Sequence, residues 1–286
     1  MRISRVGEVR CQVGEGPLWD PAEGKLYFVD IRGRQLLRHD PATGGIDTWN
    51  LPLQIGCLAI REAGGAILAL EDGFYAFDFA SGEVAVFARP DNDGAQFNDG
   101  KVDRQGRFVA GTASGFSGPP RASLYRLDGQ DAVARIASEL SVVNGPAWSP
   151  DGKTFYLTDS RLGTVFAYDY DIDHGTVSNR REFFRIGELG GGPDGGTVDA
   201  DGCYWTTAVQ AGKIICVAPD GRVERVVEVP VPWPSSVMFG GAQLDRLYFT
   251  SIDGAVYDMR SSPESGGLFV IDGLGVRGLP EARFRG

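Results

Sequence analysis

Four polar residues stand in similar glycine-rich settings: Glu15 in Gly14-Glu15-Gly16-Pro17, Asn98 in Phe97-Asn98-Asp99-Gly100, Asn144 in Val143-Asn144-Gly145-Pro146 and Asp194 in Pro193-Asp194-Gly195-Gly196. Two carboxylates and two amides offer only oxygen donors. That set suits a hard divalent cation such as Ca²⁺, Mg²⁺ or Mn²⁺, and admits Zn²⁺ or Fe²⁺. Taken singly, Asn-Gly and Asp-Gly dipeptides are ordinary turn chemistry. Brought together at a partly buried site, the carboxylates would be costly unless a bound cation compensated them. Histidine-based catalysis is excluded by number and setting. His39, in Arg38-His39-Asp40-Pro41, and His174, in Asp173-His174-Gly175, lie in turn-like contexts and are expected at the surface.

Whether the four residues meet depends on the elements that carry them. Glycine makes up 41 of 286 residues, and the glycines separate short β-rich runs with no sustained helical period. One unit recurs, a glycine-containing turn followed by an apolar strand, anchored on Leu26, Ile67, Phe108, Phe155, Tyr204 and Leu247. The steps are 41, 41, 47, 49 and 43 residues. A second strand follows each anchor, as in Phe74-Tyr75-Ala76-Phe77-Asp78 and Leu124-Tyr125-Arg126-Leu127-Asp128. Six units of ~40–50 residues, each with room for four strands, predict an all-β six-bladed β-propeller. The ring uses residues 1–286 as one expected domain, and the segment from Ile3 to Arg10 can complete the last blade as its outer strand.

Counting back ten or eleven residues from each anchor gives the start of each innermost strand: Glu15, Gly56, Asn98, Asn144, Asp194 and Ser236. Equivalent positions of a propeller lie on one ring at one end of its axis. Glu15, Asn98, Asn144 and Asp194 are therefore expected to converge there, on one divalent metal site.

The remaining composition narrows the partners. A net charge of −10, from 28 Lys+Arg and 38 Asp+Glu, argues against binding nucleic-acid phosphates or an anionic membrane. No apolar run approaches the ~18 residues of a spanning helix, and the basic start Met1-Arg2-Ile3-Ser4-Arg5 has no hydrophobic run behind it. A cytoplasmic protein, monomeric or weakly self-associating, with a small-molecule partner is expected. Cys11, Cys57, Cys203 and Cys216 show no C-x-x-C spacing and read as buried reduced thiols in strands. A Cys203–Cys216 bridge across a hairpin would require an oxidising compartment.

Across nearly its whole length the chain resembles the gluconolactonase/regucalcin family, which also includes luciferin-regenerating enzyme. The matching stretches are Gly14-Glu15-Gly16-Pro17-Leu18-Trp19, Phe97-Asn98-Asp99-Gly100-Lys101-Val102-Asp103, Asn144-Gly145-Pro146, Ser149-Pro150-Asp151-Gly152-Lys153, Pro193-Asp194-Gly195 and Phe239-Gly240-Gly241. The resemblance implies a six-bladed propeller with one axial divalent metal held by Glu15, Asn144 and Asp194, and Asn98 contacting substrate or a metal-bound water. It implies hydrolysis of a small lactone, a sugar (aldono-)lactone first, with Asp194 as ligand and general base. Two departures stand out. Animal members carry an arginine where this chain has Gln96 and a glutamate where it has Gly118, so a substrate subsite at Gln96 is expected to differ. The alternatives are a non-enzymatic calcium-binding propeller, and a metal-dependent hydrolase of phosphotriesters or lipophilic lactones. Long loops at 112–123 and 251–267, Arg32, Arg161 and Trp233 are expected around the pocket, while Trp19, Trp148 and Trp205 pack between blades.

Overall fold

A computed structural model describes residues 1–286. Strands form where β-branched and aromatic residues run between glycine turns. After β1 (Arg2–Val6), the strands β2 (Gly14–Asp20), β3 (Lys25–Asp30), β4 (Gln35–His39) and β5 (Ile46–Asn50) pair in order as the antiparallel first blade. The second blade is β6 (Ile55–Ile60), β7 (Ala66–Leu70), β8 (Gly73–Phe77) and β9 (Val84–Ala88). The third is β10 (Gln96–Val102), β11 (Phe108–Ala113), β12 (Ala122–Gly129) and β13 (Ala132–Leu140). The fourth is β14 (Val143–Trp148), β15 (Thr154–Asp159), β16 (Thr164–Asp171) and β17 (Thr176–Arg185). The fifth is β18 (Gly192–Val198), β19 (Tyr204–Val209), β20 (Lys213–Val217) and β21 (Val223–Glu228).

The sixth blade has only three strands of its own, β22 (Pro234–Gly240), β23 (Arg246–Ser251) and β24 (Leu268–Asp272). Its fourth is β1, antiparallel to β24 with Arg2 opposite Asp272 and Val6 opposite Leu268. The N-terminal segment therefore closes the ring as its outer strand, and the six-bladed propeller is complete. The innermost strands touch their neighbours around the ring, the first against the sixth.

The core lies between blades. Trp19 of the first blade stacks on Tyr248 of the sixth at 5.9 Å, and Trp205 of the fifth meets Phe239 of the sixth edge-on at 5.9 Å. Trp148 joins an apolar cluster with Val109 of the third blade. All three indoles are buried, as expected.

His39 corrects the surface expectation. It is 5% exposed, with Nδ1 3.2 Å from the Gly45 carbonyl and its ring 6.4 Å from that of Tyr248. It ends β4 and its ring lies against Tyr248 of the sixth blade, so the local turn signal is overridden by tertiary packing. His174 is exposed as expected and lies against Asp171 at 2.9 Å. All four cysteines are free and buried, although Cys11 and Cys203 sit just outside strands rather than within them.

Beyond β24 the chain crosses the face that carries the first-to-second-strand turns. The Gly278 amide donates to the Leu244 carbonyl, Ala200 to Arg277, Phe284 to Ile60 and Arg285 to Gly106. Arg283 pairs with Asp20 at 2.5 Å. This segment touches five blades and covers that end of the axis, leaving the opposite end for chemistry.

Candidate metal centre

Every innermost strand carries a one-residue bulge at its beginning. Glu15 faces Val29 while Leu18 faces Tyr27, so Gly16 and Pro17 oppose the single Phe28; Phe97, Asn144, Pro193 and Pro234 begin the same irregularity. In β6 it falls between Ile55 and Cys57. A bulge leaves one residue out of the ladder and re-aims its side chain. Gly16 and Gly145 hold φ at +52° in equivalent places, a backbone that L-residues rarely adopt. The recurring glycines of the sequence are thus part of the device that points Glu15 and Asn144 inward.

The asparagines meet directly. Asn98 Nδ2 donates to Asn144 Oδ1 at 2.9 Å and to the Val143 carbonyl at 2.9 Å. Asn144 Nδ2 donates to Ser160 Oγ at 2.8 Å, which fixes its amide with the oxygen on the Asn98 side. Glu15 Oε2 accepts from the Gly16 amide at 2.9 Å. Burial raises the Glu15 pKa well above the usual range, and the charges of Asp194 and Asp99 raise it further. Asp194 is raised likewise, first by burial and then by Asp99, with no hydrogen bond to relieve it. Asn98 and Asn144 are thus in direct contact, and Glu15, Asp194 and Asp99 lie within one another's field as carboxylates that destabilise one another.

The other two ring positions serve space. Gly56 lies so close to the third blade that a Cβ would strike the carbonyl oxygens of Phe97 and Asn98. Ser236 is buried against Gly195. Gln96 is exposed at the start of β10, opposite Ala113 and two residues before Asn98.

Sequence reasoning missed a deeper layer. Asp99 is buried, with Oδ1 accepting from the Gly100 amide and Oδ2 from the Gly145 amide, each at 2.7 Å. Burial raises its pKa, and Lys101 with the two amides opposes the shift. Buried Lys101 reaches the Gly196 carbonyl at 3.1 Å and Glu281 Oε1 at 3.5 Å. A lysine inside an innermost strand, two residues after Asp99 and next to Val102, was a usable signal. Glu281, on the C-terminal segment, carried none.

At the mouth, Trp233 stacks on Tyr257 with centroids 6.3 Å apart and planes 16° apart. The Arg32 guanidinium lies 4.5 Å over the Tyr257 ring and its Nη1 reaches the Val256 carbonyl at 3.3 Å. Burial raises the Tyr257 phenol, Arg32 lowers it, and the Asp194 and Glu15 charges raise it, so this wall stands within the field of the carboxylates. Across the mouth, Arg161 Nη1 holds the Gly118 carbonyl at 2.8 Å and ties the 112–123 loop down.

A propeller with a polar cluster on its axis is the class that this fold and site define. The sequence profile of the SMP-30/Gluconolactonase/LRE-like region matches residues 13–253, and the chain belongs to that family. It is 37% identical over 296 residues to regucalcin of Xenopus laevis, with 100% of this chain and 99% of the relative covered. Among solved structures it is similar to a luciferin-regenerating enzyme, with TM-score 0.90, 28% identity and 99% of both chains covered. It is also similar to a structure described as a calcium-binding protein, regucalcin, from Agrobacterium tumefaciens, with TM-score 0.90 and 27% identity over 98% of this chain and 96% of that one. Membership supports a lactonase-type or calcium-binding propeller. No helix is long and apolar enough to cross a membrane.

Proposed function

We propose that the chain is a divalent-metal-dependent hydrolase of small lactones, sugar (aldono-)lactones first among them. The observation that supports this reading is the pairing of Asn98 with Asn144 together with Glu15 and Asp194, carboxylates raised by burial and by neighbouring carboxylates. This donor set fits a cation: its oxygens are hard, its negative charges are desolvated, and Asp194 has no protein donor. Glu15, Asn144 and Asp194 would hold the ion, which when bound supplies Lewis-acid polarisation of the lactone carbonyl.

The chain's own groups do the rest. Asp194 accepts the proton of the attacking water as its oxygen adds to the carbonyl carbon. The ring C–O bond then breaks, and the ring oxygen takes up a proton and leaves as a hydroxyl. Asn98, held against Asn144, orients the water or the lactone ring. Trp233 and Tyr257 offer an apolar wall to the substrate's C–H face, and Arg32 offers unused N–H donors beside it.

The test is a pH-indicator hydrolysis screen of aldonolactones, aliphatic lactones and a phosphotriester, each with added Ca²⁺, Mg²⁺, Mn²⁺, Zn²⁺ or Fe²⁺. Cation-dependent opening of the aldonolactones is expected. In Asp194→Asn, kcat should fall by about two orders of magnitude or more, the scale of a lost general base, while cation affinity falls less. Activity within a few-fold of wild type at saturating metal would remove the base role. Cation binding with no turnover of any substrate would leave the calcium-binding reading.

A further inference from the structure

Away from the axis, three first-to-second-strand turns carry a buried aspartate in the same place: Asp20, Asp103 and Asp199. Two of them face a guanidinium. Arg283 lies 2.5 Å from Asp20, and Arg107 lies 2.6 Å from Asp103. Asp199 accepts comparable turn amides, Asp201 at 3.0 Å and Cys203 at 2.9 Å, and also the Trp205 indole N–H at 2.8 Å, but no cationic side chain pairs with it. The sequences show the exchange. Where Asp103-Arg104-Gln105-Gly106-Arg107 ends in arginine, Asp199-Ala200-Asp201-Gly202-Cys203 ends in cysteine.

The β19–β20 hairpin adds a second thiol, because Cys216 stands opposite Trp205. A carboxylate oxygen of Asp199 and the sulfurs of Cys203 and Cys216 all lie within 4.8 Å of one another, and all three residues are buried. Lone buried carboxylates do occur elsewhere in this protein. Asp30 and Asp159 are held by backbone amides alone, but neither has two thiols converging on it. Burial raises the pKa of both thiols, and the nearby Asp199 charge raises it further.

We propose that Asp199, Cys203 and Cys216 form a second, thiolate-rich site for zinc, distinct from the all-oxygen site on the axis. Zn²⁺ is borderline-soft and takes sulfur and carboxylate oxygen together, with a water completing four-coordination. Binding exchanges one Zn²⁺ for two thiol protons, so the cluster carries one net negative charge before and after. No additional net charge is buried. Asp199 follows Asp194 by five residues, just past the end of β18, on the order of 15 Å at strand rise, so the two sites are separate. The ion would fasten the β19–β20 hairpin to the turn on which the C-terminal segment rests through the Ala200–Arg277 hydrogen bond.

Cadmium is the probe, because only thiolate ligands give it an ultraviolet ligand-to-metal charge-transfer band. Reduced full-length protein is titrated with Cd²⁺ as wild type, Glu15→Gln, Cys203→Ser/Cys216→Ser and Cys216→Ser. A band saturating at one Cd²⁺ per chain is expected in wild type and in Glu15→Gln, with Zn²⁺ displacing it. Release of two protons makes the apparent affinity rise about 100-fold per pH unit while the free thiols stay protonated. The double variant should show no band. Cys216→Ser alone should lose most of it, with an unchanged far-ultraviolet circular dichroism spectrum showing that the propeller persists. Absence of the band in wild type overturns the proposal. So does a band that survives in the double variant, through Cys11 or Cys57, or one lost in Glu15→Gln.

Discussion

Gln96 and Asn98 lie two residues apart on β10 and have different fates. Asn98 is locked to Asn144 and Val143, while Gln96 projects at the exposed rim. An arginine at that rim would offer fixed charged donors to several hydroxyls, whereas glutamine offers one neutral amide of shorter reach. Wild type should accept pentonolactones or simple δ-lactones about as well as a hexonolactone. Gln96→Arg should shift the ratio of kcat/KM values toward the hexonolactone by about 1–3 kcal/mol. A strong hexonolactone preference in wild type, unmoved by the substitution, would place specificity elsewhere, with Arg32 the next residue to test. His39 makes a prediction about stability. Burial lowers its pKa from 6.5, against the pull of the Gly45 carbonyl and Asp40. Below pH 6.5 the unfolded chain takes up a proton that the native state refuses, so stability falls as pH drops from 6.5 toward the lowered native value. Above 6.5 this residue contributes no pH dependence. Urea unfolding at pH 7.5 and 5.5 should therefore show a smaller acid loss in His39→Gln than in wild type, the difference being at most about 1.4 kcal/mol per pH unit for one proton.

The bulge at the start of each innermost strand is the element that turns a repeat into a site. It needs a compact neighbour, and Gly56 is the tightest case, because the third-blade backbone occupies the space where a Cβ would stand. Gly56→Ala should cost about 1–3 kcal/mol of stability, the scale of overpacking. It should also lower kcat/KM, because the displaced carbonyls belong to Phe97 and Asn98. Gly129, whose Cβ would meet nothing within 4 Å, is the control, and Gly129→Ala should leave both unchanged. Calorimetry and lactone kinetics on the two variants decide this. Equal behaviour would mean that the ring tolerates displacement of the third blade.

The whole ring depends on one strand from the far end of the chain. β1 covers β24 along five residue pairs. A variant lacking residues 1–7 would expose that edge, and uncovered edges recruit other chains. Its thermal midpoint should fall by at least about 5 °C, and light scattering should show concentration-dependent association. An unchanged midpoint and a monomeric profile would mean that closure contributes little to stability.

The amino-acid sequence by itself determined the strands, the six-fold repeat, the closing role of the N-terminal segment and the placing of Glu15, Asn98, Asn144 and Asp194 on innermost strands. These are periodic features, and a closed ring converts equal positions in a repeat into neighbours in space. Residues outside the period were decided only by tertiary structure. Glu281 reaches Lys101 from a segment without strands, and Tyr257 reaches Arg32 and Trp233 from a long loop. His39 is covered by a neighbouring blade that its own turn-like flanks do not report, and Cys203 with Cys216 become partners of Asp199 through hairpin pairing. Each of these depends on packing between segments of unequal length, where no local spacing specifies which side chain arrives.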